Sequence, residues 1–409
     1  MSNTKHALES ALSAFAPSMV KIYQDWTFTD PIMVDAARVE SMQYAHRCML
    51  KLMTYIAENY SDVMDLLPHS DEVKVFLSSL QDIPFQPGTF RTDFVIGESN
   101  DLKLIEVTCR FPLNGYYRSA GMNRMIDTPA FEKQHNIKTS DLHLGLCNKL
   151  HEWLGGHKRL CIIQGGVKKG NESLFIPELL ANTDIDVWVF SLDEWVAQWT
   201  EHASNSAIMA ELTFEEWLTL PHEMVVAMLQ QPFLNDPRLI FTVHDKAFFS
   251  LVNIEALTQR CFTKDESVFI KSVFAETYLP KQAPVHWEDA YHHRENWILK
   301  PRTLGKSEFI VAGALSDSET WLKALQQAQQ GEFVLQRWYP SKRIPGKIEG
   351  ETYLDYFAGT LLYWADGFFG LGMFRMSSYP ISNVVDDRKA TCLIATNSNQ
   401  KTHPKLIWL

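Results

Sequence analysis

Apolar residues recur at helical spacing through Val34, Ala37, Val39 and Met42, and again through Met49, Leu52 and Ile56. Residues 1–80 are therefore expected to be helical scaffold. The period changes after Thr89. FRTDFVIG and LKLIEVTC are two short β-rich runs joined by the polar turn ESND, which predicts a hairpin. From Arg159 a strand-like RLCIIQGG, a helical ESLFIPELLAN and a strand-like DVWVFSL give a βαβ rhythm, the mark of a small α/β subdomain. Residues 206–235 read as helical and close at Asn235-Asp236-Pro237. The last third is read mainly as strands: LIFTVHDKAFFSLV, VFIKSVFAETYLP, NWILKPR, EFVLQRWYP, TLLYW and FFGLGMFRM. No repeat or low-complexity linker interrupts this order.

Composition narrows the class. The chain has 409 residues, 46% apolar and 21% charged, enough for two or three substructures around a large core. Its net charge of −11 argues against a general nucleic-acid or anionic-membrane binder. No apolar run reaches the ~18–20 residues of a membrane span, and the first residues lack a signal-peptide core. Six cysteines without CxxC or zinc-like spacing read as free thiols of a cytoplasmic protein.

Five segments carry candidate chemistry. In NWILKPRTLGKSEFIVAG, Lys300 ends an apolar strand, the polar Gly305-Lys306-Ser307 loop follows, and a second strand over Glu308–Ala312 returns. That arrangement can close amides and a cation over phosphates, but it is not a Walker A loop, which needs Gly where Lys300 stands. Lys271 lies within an apolar run, where a charge is costly unless it meets an anion or reaches solvent. EFVLQRWYP, with Gln336, Arg337 and Trp338, is a core strand whose backbone can hydrogen-bond an adenine as a hinge. In the hairpin, alternation sets Arg91 and Asp93 on one face of the first strand and Leu104, Glu106 and Thr108 on one face of the second. A turn at 98–101 puts Asp93 opposite Glu106, and a one-residue slip separates them. The buried Glu106 is either a metal or substrate ligand or the partner of Arg91 or Arg110. Arg375, on an apolar strand, suits a carboxylate or phosphate, or a structural salt bridge.

The order of these segments resembles the ATP-grasp ligases, specifically the circularly permuted branch typified by eukaryotic glutathione synthetase, in which the acidic strand precedes the lysines. FRTDF…LKLIEVTCRF, WILKPRTLGKSEFIVAG, EFVLQRWYP and GMFRMSS carry the likeness, over roughly residues 85–120 and 265–400. Thr108 stands at the family's Asn position and Leu304 at that of its loop carboxylate, Ser377 falls where a lysine is expected, and Asp386-Asp387 replaces glycines of a substrate-covering loop.

The resemblance implies an α/β (α+β) fold of the permuted ATP-grasp type. Residues 1–150 would give a helical region plus the metal hairpin, 151–240 an α/β substrate subdomain, and 241–409 the lid and nucleotide core. It further implies ATP and Mg²⁺, and amide formation through an acyl phosphate between a small carboxylate and an amine, an amino acid or short peptide being the default. Glu106 would hold the metal with a second ligand from Asp93, Asn114 or Glu308. Lys271, Lys300, Gly305, Ser307 and residues 336–338 would hold the nucleotide, and Lys306 with Arg375 would act at the transferring group. Arg91, Arg110, Asn114 and Arg375 would hold substrate. Neither nucleic acid nor membrane is expected as a partner, and relatives of this shape are often homodimers. Rival readings are a kinase or phosphotransferase, and a nucleotide-binding protein without turnover.

Overall fold

The computed structural model describes residues 26–409 apart from 124–125, 127, 167–172, 182, 281, 305–308, 330, 365–366, 383–387 and 397–405. Four sheets and the helices packed on them make a mixed α/β fold.

The hairpin Thr89–Ile96/Leu102–Thr108 turns through Gly97–Asp101, with Asn100 left-handed, and pairs Asp93 with Glu106. It is part of a seven-stranded antiparallel sheet. There Thr89–Ile96 lies between Leu102–Thr108 and the long strand Glu351–Trp364, and Phe374–Ser377 and Arg388–Ala390 follow beyond. Phe90, Phe94 and Ile96 point into the main core. Arg91, Asp93 and Val95, at odd positions, point the other way. The helix Ala36–Glu58, N-capped by Asp35, covers the core face with Met42, Ala45, Met49, Leu52 and Ile56, a three-and-four spacing that gives it one apolar stripe. Burying a side chain such as Leu52 contributes roughly 1.5–3 kcal/mol. Val34, read as part of that helix, instead lies in the buried strand Ile32–Val34, between Cys392–Ile394 and Ile407–Trp408.

A second sheet is antiparallel, in the order Val311–Ala312, Trp297–Pro301, Phe333–Arg337, Thr277–Tyr278. A third is parallel and built from Asp186–Ser191, Arg159–Gln164, Ala207–Glu211 and Phe233–Leu234. Ala207–Glu211 corrects the helical reading of 206–235: a fully buried parallel strand has no alternation, so AIMAE looks like buried helix. Phe233–Leu234 is a strand too, while Phe214–Thr219 and His222–Leu229 between them do form helices.

LIFTVHDKAFFSLV is likewise not a strand but the helix Pro237–Thr242 and the 3₁₀ turns Lys246–Asn253. Asp236, read as closing a helix, opens one: its carboxylate accepts from Arg238 N, with Pro237 in the first turn. Asn235 ties the parallel sheet to the hairpin, donating from Nδ2 to the carbonyls of Thr89 and Cys109 at 2.7 Å each. Gly88, at φ +67°, is required beside it, because a Cβ there would strike Asn235 Oδ1.

Candidate active site

The strand pattern of the hairpin changes at a bulge. Leu102 and Leu104 face the core, but so do Val107 and Cys109, an odd step from Leu104. The pairing register shifts between Asp93 and Phe94. One extra residue opposite Asp93–Phe94 therefore re-phases the strand and turns both Ile105 and Glu106 to the opposite side. This corrects the expected common face for Leu104 and Glu106.

That side is a cleft, open to solvent, between the seven-stranded and the second antiparallel sheet. Ile105, Glu106 and Val95 line it from the hairpin, Ile298 and Lys300 from the lysine strand, Gln336 to Tyr339 from the strand end beyond Phe333, and Phe357, Ala358 and Arg375 from the large sheet. Ile310, Pro380, Ile381 and Ser382 complete the wall. Apolar walls with a few convergent charges suit a small ligand carrying a flat ring and an anionic tail.

Two charge clusters reach the cleft, one through Glu106 and Lys300 and the other through Arg375. Lys246, only 2% exposed, donates to Leu304 O (2.8 Å) and sits 3.1 Å from Glu106 Oε1. Its segment is fixed by Lys246 N donating to Arg302 O and by the Arg302–Asp245 ion pair. Lys300, 6% exposed, donates to Ile105 O at 3.3 Å. Burial pushes the Glu106 carboxyl upward, but the charges of Lys246 and Lys300 and the Lys246 hydrogen bond outweigh it and hold the group at about 2. Burial pushes the Lys300 ammonium down; Glu106 opposes this and Lys246 adds to it, leaving about 8. In the other cluster Asp93, 1% exposed, accepts from Arg91 Nε (2.8 Å) and Arg375 Nη2 (2.5 Å). Arg91 also donates to Asn114 Oδ1 (2.5 Å) and Thr108 Oγ1 (3.4 Å). Arg375 Nε is buried without a hydrogen-bond partner among the described residues, beside the open cleft.

Several expected site residues are placed elsewhere. Lys271 lies on the surface of the helix Lys264–Val273 and pairs with Glu255 at 3.0 Å. Its apolar neighbours belong to an amphipathic helix, not a strand. The signal was in the sequence: Thr263 and Glu266 form a reciprocal capping box. Lys271→Ala should leave nucleotide affinity unchanged within about twofold, as measured by equilibrium dialysis, since an exposed pair of this kind does little. Asp93 is corrected as a metal ligand, because both of its oxygens are held by guanidinium groups. Arg110 stacks on Phe111 at 4.5 Å and does not line the cleft. Asn114 holds Arg91 rather than facing a ligand directly. The hinge reading of residues 336–338 changes too: Arg337 N donates to Glu276 O and Trp338 N to Asn296 O, while Gln336 Nε2 donates to Thr277 Oγ1. Gly305, Lys306, Ser307, Glu308 and Asp386-Asp387 lie outside the described residues.

Sequence reasoning missed Lys246 and Asp245. Both sit in an otherwise apolar, wholly buried run, where a lysine is costly unless paired. That cost falls on Lys246 and not on Lys271, which lies on a helix surface beside Glu255.

The donor set was tested against a protein-held Mg²⁺. No cluster of three or more His, Cys, Asp or Glu side chains able to hold a metal occurs among the described residues. Glu106 already has an ammonium at 3.1 Å, and Asp93 is committed to two arginines. The described residues do not fit a metal shell built by the protein.

Residues 52–242 match the family model described as the AnkG N-terminal domain. No curated protein matches the chain. Among solved structures, the fold is similar to that of a glutathione synthetase-like effector from Globodera pallida in its apo form, with a TM-score of 0.56 and 12% identity over 96% of each chain. That likeness establishes a shared mixed α/β fold over nearly the whole length. No helix among the described residues is long and apolar enough to cross a membrane.

Proposed function

We propose that the chain is an ATP-dependent carboxylate–amine ligase of the ATP-grasp type, acting on an amino acid or short peptide. The observation that carries this reading is the inter-sheet cleft, where Lys300, Arg337 and Arg375 line the same apolar walls as Glu106, which the buried Lys246 meets at 3.1 Å. Cations outnumber carboxylates there although the chain as a whole is acidic, which favours a polyanion. The fold shared with a glutathione synthetase-like protein gives the reading its class.

In this chemistry the substrate carboxylate attacks the γ-phosphorus of ATP, the bond to the bridging oxygen breaks, and ADP leaves. The amine then attacks the acyl carbon and phosphate departs. The protein's share is positioning and charge stabilisation. Lys300 and Lys246 hold phosphate oxygens, Arg375 holds the acid, and the ring lies between Ile298 and Phe357. The first backbone donor left for the ring lies past Trp338, at Tyr339.

The test is a pairwise screen of amino acids for ADP release, with mass detection of products. An amide with stoichiometric ADP supports the reading; a phosphorylated product without an amide makes the chain a phosphotransferase. A second reading, nucleotide binding without turnover, is favoured by the ammonium of Lys246 on Glu106, the acidic group that lines the cleft among the described residues. It predicts ATP binding and no ADP from any pair.

Affinity should also depend on pH in a defined direction. Lys300 loses its proton near pH 8 in the free protein, and a bound phosphate raises that value. ATP affinity should be level from pH 6 to 7.5 and then fall by up to about tenfold per pH unit above 8. Lys300→Arg, which stays charged, should abolish the fall; a level profile in the wild type would contradict the role given to Lys300.

A further inference from the structure

We infer that Lys246 supplies the positive charge that a divalent cation would otherwise bring to Glu106, so that the chain binds nucleotide phosphates without a metal ion. The inference rests on the nucleotide reading of the cleft and specifies how the phosphates are met.

Three observations carry it. First, the Lys246 ammonium lies 3.1 Å from Glu106 Oε1, at hydrogen-bonding range, on the carboxylate that would have to be given to a metal. Second, its position is built: the residue is 2% exposed, its Nζ is held by Leu304 O, and its backbone is anchored through Arg302 and Asp245. An ammonium has three donors. Two are accounted for by Leu304 O and Glu106, and through Glu106, which lines the cleft, the charge of Lys246 sits at the cleft wall. Third, among the described residues no second carboxylate lines the cleft: Asp93 is closed by Arg91 and Arg375, Thr108 carries no carboxylate, and Leu304 presents an apolar side chain. Mg²⁺ is normally held by one or two carboxylates besides the phosphates. Here Glu106, the carboxylate that lines the cleft among the described residues, already has its cation.

The test is equilibrium dialysis of ATP against the full chain, once in excess EDTA and once in excess MgCl₂. The wild type should bind with affinities that agree within about threefold in the two conditions. Lys246→Met, which keeps the aliphatic stem, should lose at least about tenfold in EDTA and recover in MgCl₂, because the vacated Glu106 then accepts the metal. A wild type that binds only with MgCl₂ overturns the inference while leaving the nucleotide reading standing. So does a Lys246→Met variant that binds in EDTA as the wild type does. A wild type that binds ATP in neither condition overturns both. If the variant fails to fold, as judged by its melting curve, the wild-type comparison decides the matter alone.

Discussion

Replacing Lys300 by methionine should cut ADP release with the productive acid–amine pair by ~10²–10³, equivalent to about 2.7–4 kcal/mol of transition-state stabilisation. Lys300 stands next to last in the lysine strand, is 6% exposed and feels the charge of Glu106. A charge so sheltered from water attracts a transferring phosphoryl group with little screening. The fold should survive the change. Burial holds the Lys300 ammonium at about 8, below its ordinary 10.5, so the charged form is disfavoured by folding. The unfolded chain binds more protons at this site between those values, and that contribution to stability rises with pH across the same window. Removing the charge therefore relieves a cost, and Lys300→Met should melt within a few degrees of the wild type. Turnover within a few-fold of the wild type would remove Lys300 from the mechanism.

Arg238→Ala should have the largest effect on stability, about 3–5 kcal/mol, because it strands a buried charge. Arg238 is 2% exposed and Asp236 fully buried. The guanidinium donates to both oxygens of Asp236, at 2.9 and 2.6 Å, and to the carbonyls of Leu80, Ile83 and Pro84. One side chain thus joins the segment after the helix Asp71–Ser79 to the start of the helix Pro237–Thr242. Without it, the Asp236 carboxylate keeps only the backbone N–H groups of Arg238 and Gln86 against its buried charge, and three carbonyls lose the guanidinium as donor. Urea unfolding should show a lower midpoint with an unchanged slope. A loss under about 1 kcal/mol would mean that water enters to replace the guanidinium.

The two predictions rest on residues that the sequence exposed unequally. The hairpin was legible because FRTDFVIG and LKLIEVTC are bounded by a polar turn; the expected turn at 98–101 is instead Gly97–Asp101, which alone would set Asp93 against Ile105, and the bulge is what brings Glu106 opposite Asp93. The bulge beside Glu106 was not, since an extra residue leaves no mark in the alternation of so short a strand. Lys300 was legible from an apolar strand ending in Lys-Pro. Lys246 was not, because its run was taken for a strand, whereas the aspartates at 236 and 245 are helix caps. The error at Lys271 has the same origin: the capping box at Thr263 announces a helix, and a helix carries a lysine on its wet face at no cost. Contacts between distant segments, such as Arg375 with Asp93, 282 positions apart, depend on the assembled sheet and lie beyond any local pattern.

The central claim, that the inter-sheet cleft is a nucleotide site, is tested most directly by titrating ATP calorimetrically into the wild-type chain and into Lys300→Met. One ATP per chain should bind the wild type, with no detectable heat from a variant that melts as the wild type does. Equal binding by the two proteins, or none by the wild type, would contradict it.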